Sequence, residues 1–268
     1  MIVEWNAHMF SRDTQRYPFH PAAAYVPNAA DLEDDPLAAY LGRMRQHGID
    51  RAVLVHPEPY GDDHSLILDC LAREPELLRG VCHFFPKDPD SPRKLAETIQ
   101  REPHMVAVRL HAHRGKQQYL DSFADAGVRA LWRAAAELGL IVELHIGPNY
   151  AAQAGAAIAA FPSVPVLIDH LAEPQFGTPV EYAEVLDLAR FANVSMKLSG
   201  VSHISSDAPL HLDVKPFVRR VADAFGPDRL CWGGGTPEIV DAHLDHFSAS
   251  ERAQVKGDNL ARLLGFQV

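Results

Sequence analysis

Short apolar runs alternate along the chain with longer segments of helical period. The strand-like runs fall at residues 2–8, 51–56, 80–85, 106–111, 141–146, 164–169, 194–199 and 229–232. Most are rich in β-branched residues, and each has Pro, Gly or Asn nearby. The spacing predicts a helix over 36–47, ending at Gly48, a position that favours glycine. A helix is predicted over 122–138, where Val128, Leu131, Trp132, Ala135 and Leu138 share one stripe. Thr178-Pro179-Val180-Glu181 has capping-box spacing with proline at the first helical position, opening a helix to about Phe191. Helices over 215–225, stopping before Gly226-Pro227, and over 251–264 complete the pattern.

Eight strands alternating with helices or long loops predict a mostly parallel sheet. Within this length they describe one α/β domain over residues 1–268, closed as a (β/α)8 TIM barrel. An open doubly wound sheet is disfavoured because no glycine-rich phosphate turn follows any strand. The connection over residues 11–36 carries Pro18, Pro21, Pro27, Pro36 and several aromatics. It is expected to lie over the C-terminal mouth of the barrel, where loops shape sites.

Composition narrows the function classes. The chain is 47% hydrophobic and 22% charged, which excludes a disordered, collagen-like or disulfide-stapled chain. With 25 basic and 35 acidic side chains the formal net charge is −10, so nucleic acid is not an expected partner. No apolar run is long enough to span a membrane, and the N-terminal MIVEWNAHMF lacks the pattern of a secretory leader. Cys70, Cys82 and Cys231 are isolated, as expected for reduced thiols in the cytoplasm. The expected partner is a small-molecule substrate, and association with a second copy is left open.

Histidine is the informative excess, at 15 residues. In a barrel, chemistry sits at the C-terminal ends of the strands. Those ends carry Asn6 and His8; His56 and then Glu58; His83; Arg109 and His111, followed by His113 and Arg114; Glu143 and His145; Asp169 and His170; Lys197 and Ser199. Residues two apart share a face, which pairs Asn6 with His8, Arg109 with His111, and Glu143 with His145. A single such histidine reads as a hydrogen-bonded structural residue, but their joint occurrence points to a site. His20, His47, His104, His211, His243 and His246 fall in loops or helices and are read as structural.

The segments VAVRLH, VELHIGP, LIDHLAEP, VSMKLSG, RLCWGGGTPE and GDNLARLLGF occur in the order found in one family. With them the chain resembles the amidohydrolase superfamily, in the branch of 2-pyrone-4,6-dicarboxylate lactonase, sulfomuconolactone hydrolase and sugar lactonases. The resemblance implies a TIM barrel with hydrolytic chemistry. It implies metal ligands, in the metal-using members, from a strand-1 His-x-His, histidines on strands 5 and 6, and a strand-8 Asp. The resemblance also implies that the lactonase branch can work without metal, that Asp then activating water.

This chain departs from the pattern. Asn6-Ala7-His8 stands on His-x-His, and Gly235 stands at the Asp position. His145 and His170 match. No cofactor is therefore expected; three histidines with a water are an arrangement that holds zinc, which stays as the alternative. The resemblance assigns His8, His145 and His170 to the carbonyl and its oxyanion. Arg109 and Lys197 match family positions that handle substrate, and His203 stands where the pyrone lactonase has an arginine. Asn6 and His111 join them as substrate-binding candidates.

Hydrolysis needs a base, and Glu58 is the expected one, followed by Asp169, Glu238 or a histidine. The expected reaction is hydrolysis of a small cyclic ester or related carbonyl compound, neutral or mono-anionic. A decarboxylase or hydratase on the same barrel, and a non-catalytic ligand binder, are the alternatives.

Overall fold

The computed structural model describes residues 1–112 and 119–266. Among these, eight strands form one parallel sheet in chain order. They are β1 (Val3–Ala7), β2 (Arg51–Val55), β3 (Leu78–His83), β4 (Met105–His111), β5 (Ile141–His145), β6 (Val166–Ile168), β7 (Val194–Leu198) and β8 (Leu230–Trp232). Strand β8 lies back against β1, making the nearly closed barrel that the alternation predicts.

The surrounding helices are α1 (Pro36–His47), α2 (Ser65–Arg73), α3 (Ser91–Arg101), α4 (Ala126–Glu137), α5 (Ala151–Ala160), α6 (Pro179–Asp187), α7 (Lys215–Phe225), α8 (Glu238–His243), α9 (Ala249–Ala253) and α10 (Asn259–Leu264). Helix α1 ends at Gly48 in the left-handed region, and the Thr178/Glu181 capping box of α6 is formed in both directions. The helix expected over 122–138 starts at Ala126, and that expected over 251–264 is broken. A π turn at Gln254–Asp258, packed against β1 and β8, separates α9 from α10. Helices α2, α3, α5 and α8 were not expected. In α5 the sequence AAQAGAAIAA has almost no polar face to mark a helical period.

Two apolar layers result. Val3, Trp5, Val53, Val55, Val81, Ala107, Ile141, Leu167 and Cys231 fill the N-terminal half of the barrel interior. A larger layer packs the outward strand faces on the helices. Each fully buried aliphatic side chain contributes about 1.5–3 kcal/mol. The filled lower half thus supports an upper half that is almost wholly polar. The loop over residues 11–36 is pinned to the connection after β2: His20 N donates to Pro59 O at 2.7 Å, and Ser11 N to Tyr60 Oη at 2.9 Å. No described helix is long and apolar enough to cross a membrane, and all three cysteines are buried and unpaired.

Candidate active site

A bulge in β1 sets the first two residues. Trp5 pairs with Val53 but Ala7 pairs with Leu54, so the alternation slips at Asn6. Trp5 stays inside, Ala7 turns to the outer core, and Asn6 reaches the axis, where its Oδ1 accepts from Lys197 Nζ at 3.2 Å. His8 Nδ1 donates to Val55 O at 2.7 Å, which leaves Nε2 with its lone pair. Burial and the positive charge of Arg109 push His8 down to about 3, so it is a neutral acceptor.

Two cations share two carboxylates on the axis. Lys197 Nζ lies 2.6 Å from Glu143 Oε1 and 2.6 Å from Asp169 Oδ1. Trp5 Nε1 donates to Glu143 at 3.1 Å. Arg109 donates to Asp169 Oδ2 from Nε at 2.7 Å and from Nη2 at 2.5 Å. Burial opposes charge on Asp169, but Arg109 and Lys197 overcome it and hold the carboxyl far below the usual range. Burial and the neighbouring Asp169 push Glu143 upward instead. Burial also works against Arg109, yet Asp169 and Glu143 keep it firmly charged.

The histidines surround this pair. Arg109 Nη2 lies 3.1 Å from His145 Nδ1 and 3.5 Å from His170 Nε2. His111 Nδ1 lies 3.1 Å from His145 Nδ1, and His170 Nδ1 lies 2.8 Å from Ser199 Oγ. Burial lowers His170 well below the ordinary value. His145 Nε2 donates to Glu173 Oε1 at 2.9 Å, and His203 Nδ1 donates to Glu173 Oε2 at 2.9 Å. Glu173 ends a tight turn after β6 in which four consecutive residues, His170 to Glu173, have positive φ (49°, 55°, 57° and 43°). Each is a strained conformation for a residue with Cβ. The turn brings His170 and Glu173 to the same side of the mouth.

His145, Asp169 and His170 place ligand atoms within 4.8 Å of one another, a spacing a divalent ion would use. The donor set does not fit such an ion. The Arg109 guanidinium already touches all three residues, so an added cation would meet a fixed positive charge. The strand-1 position offers only Asn6, engaged with Lys197, and the strand-8 position offers Gly235 at φ 77°, whose added Cβ would lie 2.5 Å from Ile239 Cδ1.

Asn6, His8, Arg109, His111, His145, His170 and Lys197 are thus brought together, with His203 joined through Glu173. Glu58 lies to one side. It is buried, not a solvated loop carboxylate, and accepts from Ala24 N at 2.9 Å and from the Tyr119 hydroxyl. The Tyr119 ring packs against His111 and His83 at 5.6 and 4.9 Å. His56, His64 and His83 form a buried group beside it: His56 Nε2 and His83 Nδ1 both bond Gly61 O, at 3.0 and 3.2 Å. Glu238 is exposed at the first turn of α8, and His113 and Arg114 lie outside the described residues. Glu173 was not singled out from the sequence. Its one signal is a carboxylate four residues after Asp169 in the segment LIDHLAEP.

Known proteins match nearly the whole of this chain. The family model described as Amidohydrolase matches residues 4–266. The 4-sulfomuconolactone hydrolase of Hydrogenophaga intermedia is 28% identical over 96% of this chain and 86% of its own length. The L-fucono-1,5-lactonase of Burkholderia ambifaria is 26% identical over 76% of this chain and 70% of its own. A solved Pseudomonas putida protein, described as a candidate 2-pyrone-4,6-dicarboxylic acid hydrolase, superposes with TM-score 0.78 at 26% identity, over 100% of this chain and 98% of that one. With a barrel complete from β1 to β8 and a family match over nearly its whole length, the chain belongs to the amidohydrolase family.

Proposed function

We propose that this chain is a hydrolase that opens small lactones without a metal ion. The observation that carries the proposal is the position of Arg109. Its guanidinium contacts Asp169, His145 and His170, the very groups a metal would gather, and supplies a permanent positive charge there. Nη1 has no protein acceptor among the described residues, so its N–H groups are available to a substrate carbonyl. As the carbonyl becomes tetrahedral, the oxyanion gains a charge-assisted donor that needs no rearrangement.

The histidines take a different part from a donor role. With Nδ1 bonded to Val55 O, His8 presents a lone pair; with Nε2 bonded to Glu173, His145 presents its Nδ1 lone pair to Arg109. His145 orients the guanidinium as an acceptor, and His8 keeps its Nε2 lone pair within reach of the same positive charge. Lys197 is enclosed by Asn6, Glu143 and Asp169, and therefore holds the carboxylates in place instead of binding substrate.

Charge on the axis is nearly balanced, two cations against Asp169 and Glu143. Such a field suits a neutral or mono-anionic lactone better than a dicarboxylate. The acidic balance of the whole chain favours a small molecule over nucleic acid, and unpaired buried cysteines fit a cytoplasmic enzyme. The relatives that match most of the chain are lactone hydrolases, which supports this reading over a decarboxylase or hydratase. The test is a panel of sugar and muconate-type lactones, followed by proton release. Ring opening by the wild type and not by Arg109→Met supports the reading; no opening of any lactone contradicts it.

A further inference from the structure

The attacking water must lose a proton, and the strand-8 position cannot take it: Gly235 has no side chain. Two of the histidines near the axis are poor bases. Burial pushes His8 down to about 3, and it lowers His170 well below the ordinary value. A base works best when its proton affinity matches the working pH.

His203 differs in position and in partner. It follows β7 at the mouth, with 38% of its side chain exposed, while its Nδ1 lies 2.9 Å from a Glu173 carboxylate that is 1% exposed. Its ring centroid is 5.4 Å from that of His170, which in turn touches Arg109. The bond to Glu173 places the proton on Nδ1 and leaves Nε2 as the lone-pair nitrogen of a side chain that is 38% exposed. A carboxylate holding one imidazole nitrogen so that the other can accept a proton is the logic of a hydrolytic His–acid pair.

We propose that His203 is the general base of this hydrolase, with Glu173 as its positioning residue; the assignment rests on the lactonase reading above. Water loses a proton to His203 Nε2 as its oxygen bonds the lactone carbonyl carbon. The carbonyl π pair moves to oxygen, beside Arg109 Nη1. On collapse the C–O ring bond breaks, and the His203 imidazolium returns its proton to the departing ring oxygen. One lactone and one water give one hydroxy acid, with no other reactant. Glu173 compensates the charge that His203 carries between the two steps, and it grips His145 with its other oxygen.

The experiment compares wild type, His203→Asn and Glu173→Gln on whichever lactone of the panel the wild type opens, with melting temperature as a folding control. His203→Asn is expected to lower kcat by roughly 10²–10⁴-fold while KM changes little, and added imidazole is expected to restore part of the rate to His203→Gly. Glu173→Gln is expected to lower kcat and to change the pH profile. Nitrogen-15 NMR of the wild type is expected to show His203 protonated on Nδ1, with that preference weakened in Glu173→Gln. A His203→Asn enzyme that keeps its kcat and only raises KM overturns the base and makes His203 a substrate anchor. A wild-type His203 protonated on Nε2 overturns it by a route independent of activity. A wild type that opens no lactone defeats the hydrolase reading itself and the base with it, an outcome separable from the loss of the base alone.

Discussion

Arg109 donates to Asp169 Oδ2 from Nε at 2.7 Å and from Nη2 at 2.5 Å, and this buried contact sits where three protein groups converge as if for a metal. It fixes the guanidinium through Nε and Nη2 and leaves Nη1 with no acceptor among the described residues. Arg109→Met is expected to lower kcat on a hydrolysed lactone by roughly 10²–10³-fold, the loss typical of removing one oxyanion donor. Arg109→Lys is expected to recover little, because an ammonium cannot hold Asp169 and a substrate oxygen with the same fork. Steady-state kinetics of both variants check this.

Lys197 carries a structural prediction. It is fully buried between Glu143 and Asp169, at 2.6 Å from each. Removing one partner of a buried ion pair leaves the other charges uncompensated and costs about 3–5 kcal/mol. Lys197→Met is expected to lose stability in that range in urea unfolding. A change below about 1 kcal/mol, the level of an exposed pair, would show that the carboxylates find other compensation.

Acid should destabilise the protein before its carboxylates titrate. Burial lowers His64 to about 4 and His83 to about 4, while in the unfolded chain each returns toward 6.5. Between about pH 6.5 and 4 the unfolded state therefore binds more protons than the folded one. Stability is complete above that window and falls as pH drops through it, by about 1.4 kcal/mol per pH unit for each histidine. Urea midpoints at pH 7, 6 and 5 check the sign. The double variant His64→Gln with His83→Gln should make the dependence shallower, leaving the share of His8, His56 and His170.

Glu58 tests the division between loop anchoring and chemistry. It binds Ala24 N and the Tyr119 hydroxyl, tying the loop over residues 11–36 to the mouth. Glu58→Gln is expected to raise KM and lower the melting temperature while kcat stays within about tenfold, less than the loss expected for a general base. A loss of kcat beyond 10²-fold with KM unchanged would return Glu58 to the role of base.

Parts of this site were legible in the chain because strand periodicity is regular. Arg109 with His111 and Glu143 with His145 share a face by simple alternation, and β4 and β5 keep one register, pairing Arg109 with Glu143 and His111 with His145. The resemblance to lactonases rests on motifs at those same strand ends. Less legible were features that depend on local departures. The β1 bulge that turns Asn6 to the axis leaves no mark in VEWNAH. The left-handed turn over His170–Glu173 has no glycine to announce it, so the carboxylate in LIDHLAEP gives no sign that it faces His145 and His203. Lys197 matches a family position that handles substrate, and its burial between Glu143 and Asp169 follows only from where β5 and β6 place those two carboxylates.

In the proposed function a guanidinium, not a metal, supplies the positive charge for lactone opening. The most direct measurement is the rate of ring opening by protein stripped with chelator, with zinc and manganese content determined on the same sample. The expected result is full turnover at negligible metal content, with no gain when zinc or manganese is added back. Turnover that vanishes on stripping and returns with stoichiometric metal would contradict the account, and would make His145, Asp169 and His170 ligands that Arg109 must vacate.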